Sequence, residues 1–228
     1  MLDPIEPDPV PRPSPDSPSG IGWPTLAARR CSEIIRPNPT SFAEVVEARR
    51  SVRALTYAPL REVVNSVAFA MRPIATRATS NAVLSRRPSV SAGALHSVEI
   101  VLADWRATPR LMRYEPHAHE LQLLGVSRPN PLEQLRHTCS ELLPEGRATV
   151  LAFVGDVQRI SAFYHHSESL LWRDAGALLQ ILATTASAYR LGFCPLGILG
   201  SEIVDALSLD RRYARPLGCA VIGRAIGE

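Results

Sequence analysis

The sequence contains no lysine: all 25 of its basic side chains are arginine. That absence excludes Schiff-base chemistry, a lysine general base and the phosphate-holding lysine of a P-loop. Runs of eighteen apolar residues are missing too, so no segment reads as a membrane-spanning helix. The four cysteines, Cys31, Cys139, Cys194 and Cys219, stand far apart without a CxxC pair. Neither a zinc knuckle nor a disulfide framework is indicated, and they read as isolated thiols. The opening MLDPIEPDPVPRPSPDSPSG lacks the basic end and apolar stretch of a secretory signal, which leads to an expected cytoplasmic location. A net charge of +3 with dispersed arginines gives no nucleic-acid footprint. There is no Rossmann glycine fingerprint, nucleophile elbow or HExxH motif.

What is present is a chain of 228 residues, 46% hydrophobic, enough to bury one large core. Residues 1–25 hold eight prolines and little to bury, and read as a disordered or extended arm ahead of one domain over residues 26–228. A short helix is expected around Leu26 to Ile35, closed by Pro37 and Pro39. Ser41 with Glu44 forms a capping-box pattern, followed by an apolar face of Phe42, Val45 and Val46. That helix runs into Arg49-Arg50-Ser51-Val52-Arg53. Forked donors in fixed planes around a small hydroxyl suit a phosphate, and equally suit a solvated basic helix end.

Further on, Leu60, Val63, Val64, Val67, Ala68 and Met71 mark a second apolar helix. Arg87-Pro88-Ser89-Val90-Ser91-Ala92-Gly93 is a loop of small residues, able to bond a ligand edge or simply to turn, before a strand over Ser97–Trp105. Arg113–Pro116 and Glu120–Leu124 read as a hairpin about His117-Ala118-His119, a solvated turn rather than a metal site for want of a third ligand. Pro131 suits a helix start, and the apolar run Ala148–Asp156 suits a central strand covered on both faces. A short helix over Val157–Tyr164 precedes Tyr164-His165-His166, three titratable groups that fit either acid/base work or an exposed helix end.

The longest helix follows, with Leu171, Ala175, Leu178, Leu182 and Ala186 on its buried side. Gly192 is expected to end it by taking a positive φ, and Cys194-Pro195-Leu196-Gly197 to form a turn offering bare backbone groups to a flat ligand. A brief helix over Ser201–Leu207 and a last strand over Pro216–Ile222 place Arg224 at a strand end. The irregular alternation of helices with a hairpin implies an α+β fold with a central, mostly antiparallel sheet flanked by helices.

In this order the motifs resemble the nitroreductase-like flavoproteins, and within them the SagB-type or McbC-like dehydrogenases of azole-containing peptide biosynthesis. The resemblance spans about Ser41 to Arg224. It rests on Arg49–Arg53, on Arg87–His96, on LMRYEPHAHELQLL, on Asp174-Ala175-Gly176 with Gln180, and on Tyr189–Gly192 with Pro195-Leu196-Gly197. It implies an FMN-dependent homodimer of domain-swapped type, each flavin touched by both chains. Arg49, Arg50, Ser51 and Arg53, assisted by Arg224, would take the phosphate. Pro88, Ser89 and Ser91 would edge the ring, and Pro195, Leu196 and Gly197 would approach it by backbone. The implied reaction is dehydrogenation of azoline rings to azoles in a ribosomal peptide, with a cyclase as possible partner. An NAD(P)H-dependent nitro or quinone reductase and a non-catalytic flavin-binding subunit are the alternatives. Azoline-oxidising members use a Lys-Tyr pair as base, which a lysine-free chain cannot supply, so Tyr164, His165 and His166 become the candidate bases. Ile181 stands where an Asn is usual after Gln180.

Overall fold

The computed structural model describes residues 7–38 and 40–227, so Pro39 and the first six residues of the arm lie outside the described residues. In chain order the strands are β1 (Val10–Pro11), β2 (Thr25–Arg30), β3 (Leu55–Thr56), β4 (Ala75–Ala78), β5 (Val83–Arg86), β6 (Val98–Asp104), β7 (Arg110–Glu115), β8 (Glu120–Leu124), β9 (Thr149–Asp156), β10 (Tyr164–His165), β11 (Gly192–Leu196) and β12 (Ala214–Ala225). The α-helices are α1 (Phe42–Ala48), α2 (Leu60–Met71), α3 (Asn130–Leu142), α4 (Val157–Ser161), α5 (Glu168–Ala188) and α6 (Ser201–Ala206).

Period-two alternation organises the core. Ile100 and Leu102 of β6, with Leu151 and Phe153 of β9, join the apolar cluster of α2 and α5. Their alternates Val101, Ala103, Val150, Ala152 and Val154 join the cluster of α3 and α6. Every residue of β6 and β9 is buried, as strands covered on both faces require. The result is three layers around an antiparallel sheet ordered β11-β12-β9-β6-β7-β8-β2, with β3 added to the far end of β12. The long helix predicted from its apolar spacing is α5, whose 21 residues extend roughly 31 Å at 1.5 Å per residue. Ser41 and Glu44 form the expected reciprocal cap, but α1 buries none of its residues and Phe42 is 80% exposed.

Two local expectations are corrected. Residues 25–30 form a strand rather than a helix: β2 is fully exposed and gains its order from main-chain pairing with β8, a tertiary interaction that overrides the helix-favouring Leu-Ala-Ala-Arg-Arg. The helix expected to reach Tyr164 stops at Ser161, because Tyr164 and His165 pair with Pro11 and Val10 of the arm. The described part of that arm is extended and laid over its own domain. Arg12 donates its N–H to the Phe163 carbonyl at 2.8 Å and its Nε to the Ser161 carbonyl at 2.6 Å, and the Ile21 N–H reaches Asp156 Oδ2 at 3.3 Å. The β4–β5 hairpin, placed between α2 and the serine loop, had no counterpart in the sequence pattern.

One cluster inside this frame is ionic. Glu99 of β6 is buried and receives Arg113 at 3.1 Å and Arg159 at 3.3 Å. Beside it the buried Arg87 donates to Ser85 Oγ at 2.9 Å and to His117 Nε2 at 3.1 Å. His96 is buried against the Ser85 carbonyl, 2.7 Å from Nε2, and desolvation followed by the nearby Arg87 charge lowers its pKa to about 4. The unfolded chain takes up this proton near pH 6.5, whereas the folded chain refuses it until about pH 4. His96 therefore leaves stability untouched above pH 6.5 and withdraws it as pH falls through that window, by about 3 kcal/mol in full. Urea unfolding midpoints at stepped pH should show the slope, and His96→Asn, which tolerates the left-handed backbone found there (φ 49), should flatten it.

Candidate functional site

The segment after α1 reaches the sheet at once. Ser51 makes a parallel bridge with Phe193, and the Val52 N–H donates to the Phe193 carbonyl at 3.0 Å. Arg50 is thereby carried to the C-terminal end of α5. β12 delivers Arg224 to the same place, since Gly192 pairs with Gly223. A cleft of about 690 Å³ results, with Arg50, Arg190 and Arg224 at its rim and Val52, Ala183, Leu191 and Phe193 among its apolar walls. Its size falls within the range of small-ligand sites. Arg224 is half of an ion pair there, with Nη2 at 2.8 and 3.0 Å from the two oxygens of Glu62.

Gly192 does not end the helix as expected. Arg190 takes the positive φ (56°), and Gly192 sits in β11, where a Cβ would lie 2.4 Å from Leu55 Cδ2 and 3.2 Å from Val52 Cβ. The glycine is thus a point of close backbone approach, joining the arginine segment to the sheet. Replacing it with alanine is expected to destabilise the fold by about 1–3 kcal/mol through overpacking. Chemical denaturation checks this, with Gly197→Ala as the control because open space surrounds that position. Nor is Cys194–Gly197 a free turn: Cys194, Pro195 and Leu196 pair with Val221, Ala220 and Cys219 in the outermost strand of the sheet. Pro195 and Gly197 are exposed, Leu196 is half-buried, and all three follow directly from the cleft wall at Phe193.

The serine loop is elsewhere. Ser89 is buried, Pro88 half-buried, and Ser91 donates through Oγ to Asp174 at 2.5 Å while accepting from the His96 N–H at 2.8 Å. Asp174 also accepts from the Ala92 N–H at 3.0 Å. Burial raises the Asp174 pKa, with the Ser91 and Ala92 bonds opposing. Gly93, Ala94 and His96 all hold positive φ, a concentration of backbone strain that the Asp174 bonds fix in place. Tyr164 belongs to this end, its hydroxyl 3.0 Å from where a Gly93 Cβ would stand. His165 and His166 are exposed, and His166 borders a shallow recess with Glu168 and Arg215.

The structure therefore gathers Arg50, Ser51 and Arg224 beside β11, and gathers Ser89, Ser91 and Tyr164 around the N-terminal half of α5. Arg49 and Arg53 do not line the cleft. The two groups are separated along α5 by nine to thirteen positions, from Asp174 to Ala183 and Ser187 on the cleft wall, about 14–20 Å of helix. Two residues were not foreseen in these roles. Arg190 lines the cleft from the left-handed turn after α5, and Asp174 anchors the serine loop; an acid set on the apolar face of the longest helix is the signal that could have found the latter. His117 and His119 are engaged with Arg87 and with Tyr114, and no metal-ligand group of three exists among the described residues.

No protein-family profile and no curated protein matches the sequence. Solved structures do. A candidate nitroreductase from Ralstonia eutropha JMP134 superposes with a TM-score of 0.65 at 18% identity, covering 97% of this chain and 99% of its own. A chain of the E. coli microcin synthetase McbBCD complex with truncated pro-MccB17 bound gives a TM-score of 0.63 at 19% identity, covering 86% and 75%. A further candidate nitroreductase, from Exiguobacterium sibiricum 255-15 in complex with FMN, gives 0.55 at 15% identity, covering 84% and 91%. The fold of this chain is the nitroreductase-like fold.

Proposed function

We propose, from that fold as premise, that the protein is an FMN-dependent oxidoreductase that dehydrogenates azoline rings to azoles in a ribosomally made peptide. The observation that carries the cofactor half is the convergence of Arg50, Arg190 and Arg224 on one cleft that also presents apolar surface at Val52, Ala183, Leu191 and Phe193. The donor set fits a phosphate and the walls fit a flat ring, so the residues present suit FMN. Bound there, a flavin would supply the hydride acceptor that azoline oxidation needs. The arginines would hold the phosphate, and the strand β11 would bring backbone from Phe193 onward to the ring.

The separation of the serine loop from the cleft supports pairing of two chains, because Ser89 and Ser91 do not line the cleft of their own chain. In a homodimer the Ser89–Ser91 loop of one chain would close over the cleft of the other and bring Tyr164 with it. Tyr164 is then the residue placed to take the ring proton, with His165 and His166 as exposed relays. The resemblance in fold to a chain of the McbBCD complex supports a peptide substrate and a cyclase partner.

The test is incubation of the FMN-loaded protein with a cyclised azoline peptide and oxygen, read by mass spectrometry. Loss of two hydrogens per ring is expected, and Tyr164→Phe should slow it by about 10²-fold or more if the phenol carries the proton. Bleaching of the flavin by NAD(P)H without ring oxidation would replace this reading with a nicotinamide-dependent reductase. A flavin that neither substrate reduces would reduce the chain to a cofactor-binding subunit.

A further inference from the structure

A second recess, of about 640 Å³, opens between the end of β2 and α2. Leu60, Val64 and Ala68 of α2 and Leu121 of β8 give it an apolar floor. Arg29, Arg30, Arg36 and Arg61 surround that floor, and Arg190, which also lines the cleft beside β11, borders it. No side chain of these five forms an ion pair or hydrogen bond among the described residues. Other arginines, among them Arg113, Arg159, Arg212, Arg215 and Arg224, each hold a carboxylate. Two acids reach the recess, Glu33 and Glu62, and Glu62 is already engaged by Arg224. Around this recess arginines outnumber acids where apolar surface is open, which makes it locally positive.

The rim is built rather than accidental. Asn65 accepts from the Ile35 N–H at 2.8 Å and donates to the Ile35 carbonyl at 2.9 Å, pinning the segment after β2 against α2. Pinned in this way, the Ile35 side chain stays 72% exposed. β2 is the outer strand of the sheet, its second edge carries no strand among the described residues, and its last two residues, Arg29 and Arg30, line the groove. Leaving Arg190 to the cleft, four cations drawn from β2, the segment after it and α2 suit charges spaced along a chain better than one compact anion. An apolar floor beside an open strand edge suits a peptide in extended form.

We infer that this groove binds an extended peptide segment in which acidic residues alternate with aliphatic ones, the acids meeting the arginine rim and the aliphatic side chains resting on α2. It deepens the peptide-modifying reading by naming the segment recognised, rests on that reading for its biological meaning, and can fail without it. The experiment uses the full chain and a fluorescein-labelled synthetic peptide alternating Glu with Leu and Val, followed by anisotropy. Binding is expected to weaken as salt is raised, and at least about tenfold in the double variant Arg29→Glu/Arg61→Glu, whose exposed positions leave the core and FMN retention unchanged. A peptide with Gln in place of Glu should bind correspondingly less. Equal binding of the Gln peptide, or undiminished binding by the double variant, overturns the inference. So does light scattering that shows the double variant falling from dimer to monomer while no peptide binds, which would assign the groove to a second copy of the chain. Loss of ring oxidation with peptide binding intact would count against the enzymatic reading alone.

Discussion

Alanine at both Arg50 and Arg224 should cost the protein its hold on FMN by roughly two orders of magnitude, while riboflavin affinity moves little. A charge-assisted hydrogen bond contributes about 1.5–3 kcal/mol, so each guanidinium is worth about a tenfold to hundredfold change, and neighbours on one phosphate do not add in full. The FMN-to-riboflavin ratio isolates the phosphate from general damage to the cleft. Arg49→Ala and Arg53→Ala should cost less than either, because those side chains do not line the cleft. Glu62 supplies an internal check. Its carboxylate already occupies Arg224 at 2.8 Å, so Glu62→Gln should tighten FMN by a few-fold. Equal losses at Arg49, Arg50, Arg53 and Arg224, or an unchanged ratio in the double variant, would move the phosphate elsewhere.

The largest effect on stability is expected at Glu99. Burial alone would raise its pKa, but Arg113, Arg159 and Arg87 together outweigh burial and hold it below the ordinary carboxylate range. Its removal leaves buried guanidinium groups without their counter-charge. Glu99→Ala is therefore expected to cost about 3–5 kcal/mol, or roughly 10 °C in melting temperature for a domain of this size. The sign with pH follows from the lowered pKa. Glu99 contributes in full above the unfolded value near 4.5 and its contribution disappears as pH falls through the folded value. Wild-type and variant stabilities should accordingly converge in acid, as followed by thermal unfolding at stepped pH. A cost at neutral pH that persists undiminished in acid would mean that packing, not charge, explains the loss.

The pieces of this architecture with strong periodicity were legible in the sequence. α2 and α5 carry apolar residues at helical spacing, and the continuous run of β9 announced a strand covered on both faces. β2 was not legible, because an exposed edge strand has no buried face to write a pattern, and Leu-Ala-Ala-Arg-Arg is good helix composition. β11 was hidden by Pro195, which reads as a turn residue yet is admissible on the outermost strand of a sheet. At the site, Arg50 and Arg224 are too distant in sequence for spacing to join them; the family resemblance paired them, and the Ser51–Phe193 bridge and the Gly192–Gly223 pairing bring them to one cleft. The bond from Ser91 to Asp174 joins two motifs read separately, and no pattern within either one encodes the other.

β12 is the last strand in sequence, yet it lies between β9 and β11 and also carries β3. During synthesis on the ribosome, the edge of β9 must therefore wait for a neighbour still to be translated. Folding should be late and concerted, rich in long-range closure and correspondingly slow. The half-made protein is thus a natural client for chaperones, and deletion of β12 should yield aggregate rather than a smaller folded unit.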